Sequence, residues 1–347
     1  PVVSIILTAV NEGNYVQRTV DSIRKNTEWP AYEIILIDDA SNDNSFAFLN
    51  EEPYKSNPAL RYARFNYSAG MIRARHHGAE MARGDYILIM DAHMSVPAGW
   101  LAGLMAAHRR WGPSSLIAPQ LGEVNKEDWS INANMNYFLM VDEKFDFSAK
   151  DFPHANGLAS VFSGGCFLIE GAFYFKIGGI DIGLRHWGCE NIDLSLKVYA
   201  AGGAVFYEPA VVVGHLWNRE VKRNIGYAFD FYYNKLRTGF VHLPYAAFHR
   251  LFANLKAPNE FQDALRQYEF NLPELHYQRQ KQQSANKRNP DWYVRMFLPQ
   301  LLNDGKRKSK PVVVPRPIGA PSKNHGNGQL KTAEQLREKA EVAALEN

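Results

Sequence analysis

The chain is short of the features that would assign it to several common classes. It has only two cysteines, Cys166 and Cys189, in 347 residues. Two cysteines that far apart make no disulfide framework and no clustered thiolate metal site, and a reducing, cytoplasmic setting is expected. No apolar run approaches the roughly 18 residues of a membrane span. Charge of one sign is also scarce: 39 Lys+Arg stand against 36 Asp+Glu, a net of +3. With 46% hydrophobic and 22% charged residues, the composition excludes a wholly disordered, collagenous or coiled-coil chain. Neither G-x-G-x-x-G nor G-x-x-x-x-G-K-[ST] follows the first apolar run, so a Rossmann dehydrogenase and a P-loop NTPase both lose support. The run Val2–Thr8 already reads as a strand, so no signal peptide is expected. The chain opens on Pro1 rather than Met, which leaves removal of an upstream segment open.

The small net charge hides an asymmetry. From His276 to the end there are 14 Lys/Arg against 6 Asp/Glu, or +8, so residues 1–275 carry −5. A basic tail on a mildly acidic body suits a polyanionic partner, or simply a solvated end.

The first part alternates strand and helix patterns. Val2–Thr8, Glu33–Asp38, Arg61–Phe65 and Tyr86–Met90 read as strands. Asn14–Lys25, Ser41–Asn50 (capped by Ser41 or Asn42) and Gly70–Arg83 read as helices. That order implies an α/β fold with a mostly parallel sheet flanked by helices. Farther on, Ser114–Pro119, Val161–Ile169 and Val205–Val213 are expected strands, and Glu190–Ala201 an amphipathic helix. Asp128–Lys150 is polar and aromatic without a clear period. Asn224–Phe252 is aromatic and helical, including Tyr227, Phe229, Phe231, Tyr232 and Tyr233, and Gln278–Asn289 is polar and basic. Lys306–Gly328 has the proline-rich composition of an extended arm. Lys331–Leu345 reads as a terminal helix with a Thr332/Gln335 capping box. The expected organisation is a catalytic domain over 1–220, a mainly helical extension over 221–305, and an arm with a final helix over 306–347.

Sheets of this kind bind ligands beyond the carboxyl ends of their strands, and chemistry-bearing residues cluster there. Asp91-Ala92-His93 follows the fourth strand. Side chains two positions apart at a strand end share one side, so both can reach one ion. A carboxylate with an imidazole suits a borderline divalent metal such as Mn²⁺ better than an all-oxygen Mg²⁺ cage. His215, after another apolar strand, is a candidate third ligand. Asp38 and Asp39 end the second strand, where one carboxylate can accept from a base or a ribose and the other can cap the next helix. Without a glycine loop, a nucleotide diphosphate needs another neutraliser, and a metal with Arg75 would serve.

Four longer segments make the pattern specific: SIILTAVNEG at Ser4–Gly13, EIILIDDAS at Glu33–Ser41, AGMIRARHHGAEMARGDYILIMDAH at Ala69–His93, and the stretch from Ser163 to Gly203 with Trp187-Gly188-Cys189-Glu190-Asn191. VGHLWNRE at Val213–Glu220 completes it. Together they resemble a GT-A glycosyltransferase, most closely the catalytic domain of the polypeptide N-acetylgalactosaminyltransferases, which are retaining enzymes using UDP-sugars. The likeness spans roughly residues 1–220 and includes the family's D-x-H and W-G-G-E-N motifs.

The resemblance implies roles. Asp91, His93 and His215 would hold the metal. Thr8 and Asp39, with Asp38 beside it, would line the uridine site, and Gly70 and Arg75 would lie near the diphosphate. Gly164 and Gly165 would let the backbone approach the donor sugar. Glu190 and Asn191 would face sugar and acceptor, and Trp187 would belong to the loop closing over the donor. Inverting relatives place a Glu-Asp pair where this chain has Glu190-Asn191. An amide cannot take a proton at neutral pH, which favours retention, with double displacement through Glu190 the alternative. Three departures stand out. Ser68 replaces a usual basic residue, Cys189 replaces the second glycine of W-G-G-E-N, and no segment of this sequence reads as the family's lectin module. The expected function is a metal-dependent transfer of a hexose or N-acetylhexosamine from a UDP-sugar to a hydroxyl of a peptide, a glycan or hydroxymethylated DNA. The competing reading is a non-catalytic, glycosyltransferase-like binding protein.

Overall fold

The structure is a computed structural model, and it describes residues 1–150, 157–217, 227–255 and 259–302. The expected arm and terminal helix at 306–347 lie outside the described residues, as do Asn224 and Glu220.

The chain begins β1 (Val3–Ala9), α1 (Tyr15–Asn26), β2 (Tyr32–Asp38), β3 (Leu60–Arg64), α2 (Met71–Met81) and β4 (Tyr86–Asp91). It continues through β5 (Met94–Ser95), α3 (Trp100–Trp111), β6 (Ser115–Val124), β7 (Ile131–Val141), β8 (Phe147–Lys150), β9 (Cys166–Glu170) and α4 (Gly171–Lys176). Next come α5 (Glu190–Ala200) and β10 (Ala204–His215), then α6 (Tyr227–His242), α7 (Tyr245–Asn254), α8 (Asn259–Phe270), α9 (Leu272–Ala285) and α10 (Asp291–Phe297).

The strand order is β3-β2-β1-β4-β9-β6-β10-β5, with the β7–β8 hairpin branching from β6. Pairing is parallel from β3 to β4 and again between β6 and β10. It turns antiparallel where β9 is inserted between β4 and β6. Every residue of β1 is buried, as a strand covered on both faces requires, which is why its sequence is a continuous apolar run rather than an alternation. Helix α2 packs over β1 and β2 through Gly78, where a Cβ would come within 2.4 Å of Ile6 Cγ2. The parallel register brings the strand ends to one edge: Thr8 is level with Asp91, and Ala9 with Asp38.

Several expected elements differ. Instead of a helix over Ser41–Asn50 there is one 3₁₀ turn at Ala47–Asn50. The polar side chains at its start make other bonds. Asp38 accepts from Ser41 N–H, Asp43 from Ser45 N–H, and the Ser41 hydroxyl from Asn11 N–H. Such local side-chain bonds offer the backbone an alternative to helix. The strand expected over Val161–Ile169 starts only at Cys166, because Ser163-Gly164-Gly165 crosses the sheet edge as loop. The aperiodic stretch 128–150 contains the β7–β8 hairpin. The aromatic helical segment is two helices, broken where Pro244 would remove a helical N–H.

Helix α6 does not stand apart from the sheet-bearing part. Arg237 pairs with Asp181 and Glu274, and His242 with Asp193. No helix among the described residues is long and apolar enough to cross a membrane.

Candidate active site

The site is assembled at the carboxyl edge of the sheet. β4 ends in Asp91, and the chain reverses into β5, which pairs with the end of β10 so that His215 faces Met94. Leu216 N–H donates to the carbonyl of His93. The β5–β10 pairing therefore brings two histidines, 122 residues apart in sequence, to a Nε2–Nε2 distance of 3.2 Å. His215 Nε2 is 3.3 Å from Asp91 Oδ2, and His93 Nε2 is 3.9 Å from the same oxygen. One ligand atom from each of the three residues lies within 4.8 Å of the others.

Arg75 on α2 backs this group. Its side chain is buried, and it donates to Asp91 Oδ1 at 2.5 Å and to Glu190 Oε1 at 3.2 Å. A single cation thus bridges two carboxylates, one from β4 and one from the start of α5. Burial alone would raise the pKa of Asp91. The Arg75 guanidinium, and after it His215 and His93, outweigh burial and hold the carboxyl well below its usual range. Burial dominates at Glu190, whose pKa rises although Arg75 opposes the shift. The histidines diverge. Burial pulls the pKa of His215 down, with the charge of His93 helping. At His93, burial is outweighed by the carboxylates of Glu12, whose Oε2 is 3.2 Å from Nδ1, and of Asp91, so its pKa rises.

The glycines fit closely. A Cβ on Gly164 would lie 3.1 Å from Glu190 Oε1 and 3.3 Å from Arg75 Nη1. On Gly165 it would meet Leu121 and His215 at 3.3 and 3.4 Å. Gly165 O accepts from Asp91 N–H, which locks this loop to the metal-ligand candidates.

The remaining candidates divide. Thr8 is buried with its Oγ1 unpartnered among the described residues. Asp39 accepts from the Ser68 hydroxyl and from the N–H groups of Ala69 and Gly70. It therefore shapes the turn into α2, and Ser68, the departure from the family pattern, is one of its donors. Gly70 has φ 89°, and a Cβ there would come within 2.7 Å of His186 Cα, so glycine is required twice over. Asp38 is fully buried and holds Ser41 N–H, the Tyr62 hydroxyl and Arg64, away from the cluster of Asp91, His93 and His215. Asn191 donates to Phe162 O at 3.0 Å, so its amide fixes the loop leading to Gly164. Trp187 is 37% exposed and stacks on Phe231 of α6 at 5.7 Å.

Sequence reasoning passed over Glu12, whose Oε2 lies 3.2 Å from His93 Nδ1, and Asn234 and Asp230, which hold the Trp187 loop. Glu12 carried a usable signal: it follows a strand at the same sheet edge as the other candidates. Asn234 carried none, because only folding brings α6 to that loop.

A carboxylate and two imidazoles converging at the carboxyl edge of a mixed, mostly parallel sheet, beside two closely packed glycines, fit the GT-A class of nucleotide-sugar folds. Residues 4–173 match the model of "Glycosyl transferase family 2". It is distantly similar to polypeptide N-acetylgalactosaminyltransferases. It is 29% identical to polypeptide N-acetylgalactosaminyltransferase 8 of Drosophila melanogaster over 229 residues, covering 62% of this chain and 38% of that protein. It is 29% identical to polypeptide N-acetylgalactosaminyltransferase 10 of Homo sapiens over 234 residues, 64% and 38% of the two chains. The chain thus spans little more than a third of the length of these relatives. The solved structure of GalNAc-T7 with UDP, GalNAc and Mn²⁺ superposes with a TM-score of 0.69 at 23% identity, over 86% of this chain and 57% of the other. That likeness establishes the fold.

Proposed function

We propose that this chain is a metal-dependent glycosyltransferase that moves a hexose or N-acetylhexosamine from a UDP-sugar to an acceptor hydroxyl, with retention at the anomeric carbon. The observation that carries the reading is the convergence of Asp91, His93 and His215 within 4.8 Å, next to Gly164 and Gly165. One carboxylate and two imidazoles suit Mn²⁺. His93 Nε2 and His215 Nε2 face each other across 3.2 Å, too close for two protonated ring nitrogens but apt for two lone pairs sharing one cation. A bound divalent ion would neutralise charge on the leaving diphosphate.

The chain's own residues supply positioning. Arg75 keeps Asp91 ionised and aimed at the histidines. The bare backbone of Gly164 and Gly165 leaves room for a sugar ring, and Thr8 Oγ1 at the end of β1 has no partner among the described residues. Asn191 supports retention. It stands where an inverting enzyme needs a base, yet it is a buried amide donating to a carbonyl. The acceptor proton would then leave with a diphosphate oxygen. A non-catalytic binding protein has no need for three converging metal-ligand candidates.

The acceptor class is proposed as a hydroxyl of a peptide, a glycan or hydroxymethylated DNA, the last prompted by the +8 carried from His276 onward. The test is hydrolysis and transfer from a panel of UDP-sugars, with and without Mn²⁺, followed by NMR of the anomeric linkage. Turnover that requires the metal and an α-linked product from an α-linked donor is expected. Full turnover in excess EDTA, or a β-linked product, would refute the corresponding half of the reading.

A further inference from the structure

The family 2 match ends at residue 173, yet the backbone that carries Trp187 is held from beyond it, by α6. Asn234 is fully buried. Its Nδ2 donates to the carbonyls of Arg185 (2.8 Å), Trp187 (3.1 Å) and Gly188 (2.9 Å). Its Oδ1 accepts from Arg185 N–H at 2.7 Å. An amide has two N–H groups, so at least one is shared between carbonyls, and both ends of the side chain serve one four-residue loop. One turn earlier on the same helix face, Asp230 accepts from Arg185 Nε at 2.8 Å and pairs with His186 Nδ1 at 2.7 Å. Phe231, between them, stacks on Trp187, and a Cβ on Gly188 would lie 2.5 Å from Phe231 Cδ2.

The loop needs this hold because its backbone is unfavourable by itself. His186 has φ 28° and Cys189 φ 67°, both in the left-handed region that non-glycine residues avoid, and Gly188 has φ 99°. Such conformations persist only when surrounding contacts over-determine them. The other side of the loop touches the site. Gly188 N–H donates to Glu190 Oε2 at 3.1 Å, and His186 abuts Gly70 at the start of α2.

We propose that Asn234 and Asp230 are positioning residues: helix α6 templates loop 185–188, and through it Glu190 and the cover over the donor. The site is therefore incomplete without a helix that lies outside the family's matched core. This inference rests on the donor-site reading above for its catalytic consequence, and on the loop geometry alone for its structural one.

The test separates the two. The full chain is labelled with 5-fluorotryptophan, the Trp187 resonance is assigned through Trp187→Phe, and Asn234→Ala is compared with wild type. In Asn234→Ala the Trp187 fluorine signal should shift and broaden. The signal of Trp100, buried on α3 with its Nε1 donating to Thr27, should stay in place. Mn²⁺ affinity should remain within about twofold, because Asp91, His93 and His215 lie on or directly beyond other elements. For UDP-sugar hydrolysis, kcat/KM should fall by about 100-fold, the cost of a reacting group misplaced by about 1 Å. If Asn234→Ala does not fold, Asp230→Asn, which keeps the side-chain size and weakens the pairing with Arg185 and His186, makes the same comparison with a smaller loss expected. An unmoved Trp187 signal, or an unchanged kcat/KM in an active enzyme, overturns the inference. A wild-type protein that neither binds nor hydrolyses a UDP-sugar overturns the enzyme reading instead, while the fluorine signal still decides whether α6 holds the loop.

Discussion

His93 Nε2 and His215 Nε2 lie 3.2 Å apart where β5, which follows β4 in sequence, pairs with the end of β10. Two imidazoles facing edge to edge at this distance repel when both are protonated and cooperate when a cation lies between their lone pairs. That relationship ties the fold to the proposed chemistry, and it is the first to test. Mn²⁺ added at about 100 times its dissociation constant should stabilise the folded chain by about 2.7 kcal/mol. Thermal unfolding with and without the ion reads this directly. In His93→Ala the stabilisation should largely vanish while the unfolding temperature of the metal-free protein changes little, because His93 sits at a strand end rather than in the core.

Glu12 should matter without touching the ion. Its carboxylate lies 3.2 Å from His93 Nδ1, a nearby negative charge that favours a proton on Nδ1 over one on Nε2. Glu12→Gln should weaken Mn²⁺ binding by about 10- to 100-fold, measured by titration calorimetry. Wild-type affinity in that variant would mean that His93 is oriented by packing alone.

Gly164→Ala addresses the room left for the donor. The added methyl would sit 3.1 Å from Glu190 Oε1 and 3.3 Å from Arg75 Nη1, contacts the side chains can yield to by small shifts. Folding should survive, and UDP-sugar hydrolysis should fall by about tenfold or more through misplacement of the site. Steady-state kinetics beside a melting curve separates the two effects.

A pH-dependent contribution to stability is expected away from the site. Asp193 on α5 is buried between Lys197 Nζ (2.9 Å) and His242 Nε2 (2.7 Å). Burial would raise its pKa, but Lys197 and then His242 outweigh burial and hold it well below the usual carboxylate range. A depressed folded pKa gives stability that is fully present above the unfolded value of about 3.9 and is lost as pH falls toward the folded one. Resistance of the wild type to urea should therefore weaken as pH falls below about 4, and Asp193→Asn should flatten that part of the profile. Asp193→Ala at pH 7 should cost about 3–5 kcal/mol, because Lys197 is left buried without its partner.

Much of this molecule is determined by sequence alone. The apolar runs of β1, β2 and β4 specify strands covered on both faces, and their alternation with α1 and α2 specifies parallel pairing. The position of Asp91 and His93 at the end of one such run, and of His215 after another, marks a candidate metal-ligand set, because strand ends project side chains to a common edge. Sequence failed where local bonds compete with periodicity. Ser41–Asn50 has helix-start residues, yet Asp38 and Asp43 bond neighbouring backbone, the Ser41 hydroxyl takes the distant Asn11 N–H, and only a 3₁₀ turn is left.

Tertiary structure alone decided the partners. Nothing near Arg75 announces that it bridges Asp91 and Glu190, residues 16 and 115 positions away. Nothing near Asn191 tells that its amide turns inward to Phe162 O, or near Asn234 that it holds loop 185–188. Sequence periodicity reports which face of an element is buried, because burial follows from the element's own repeat. It does not report which distant polar group meets that face, because a hydrogen bond depends on the relative placement of elements that only the packed core fixes.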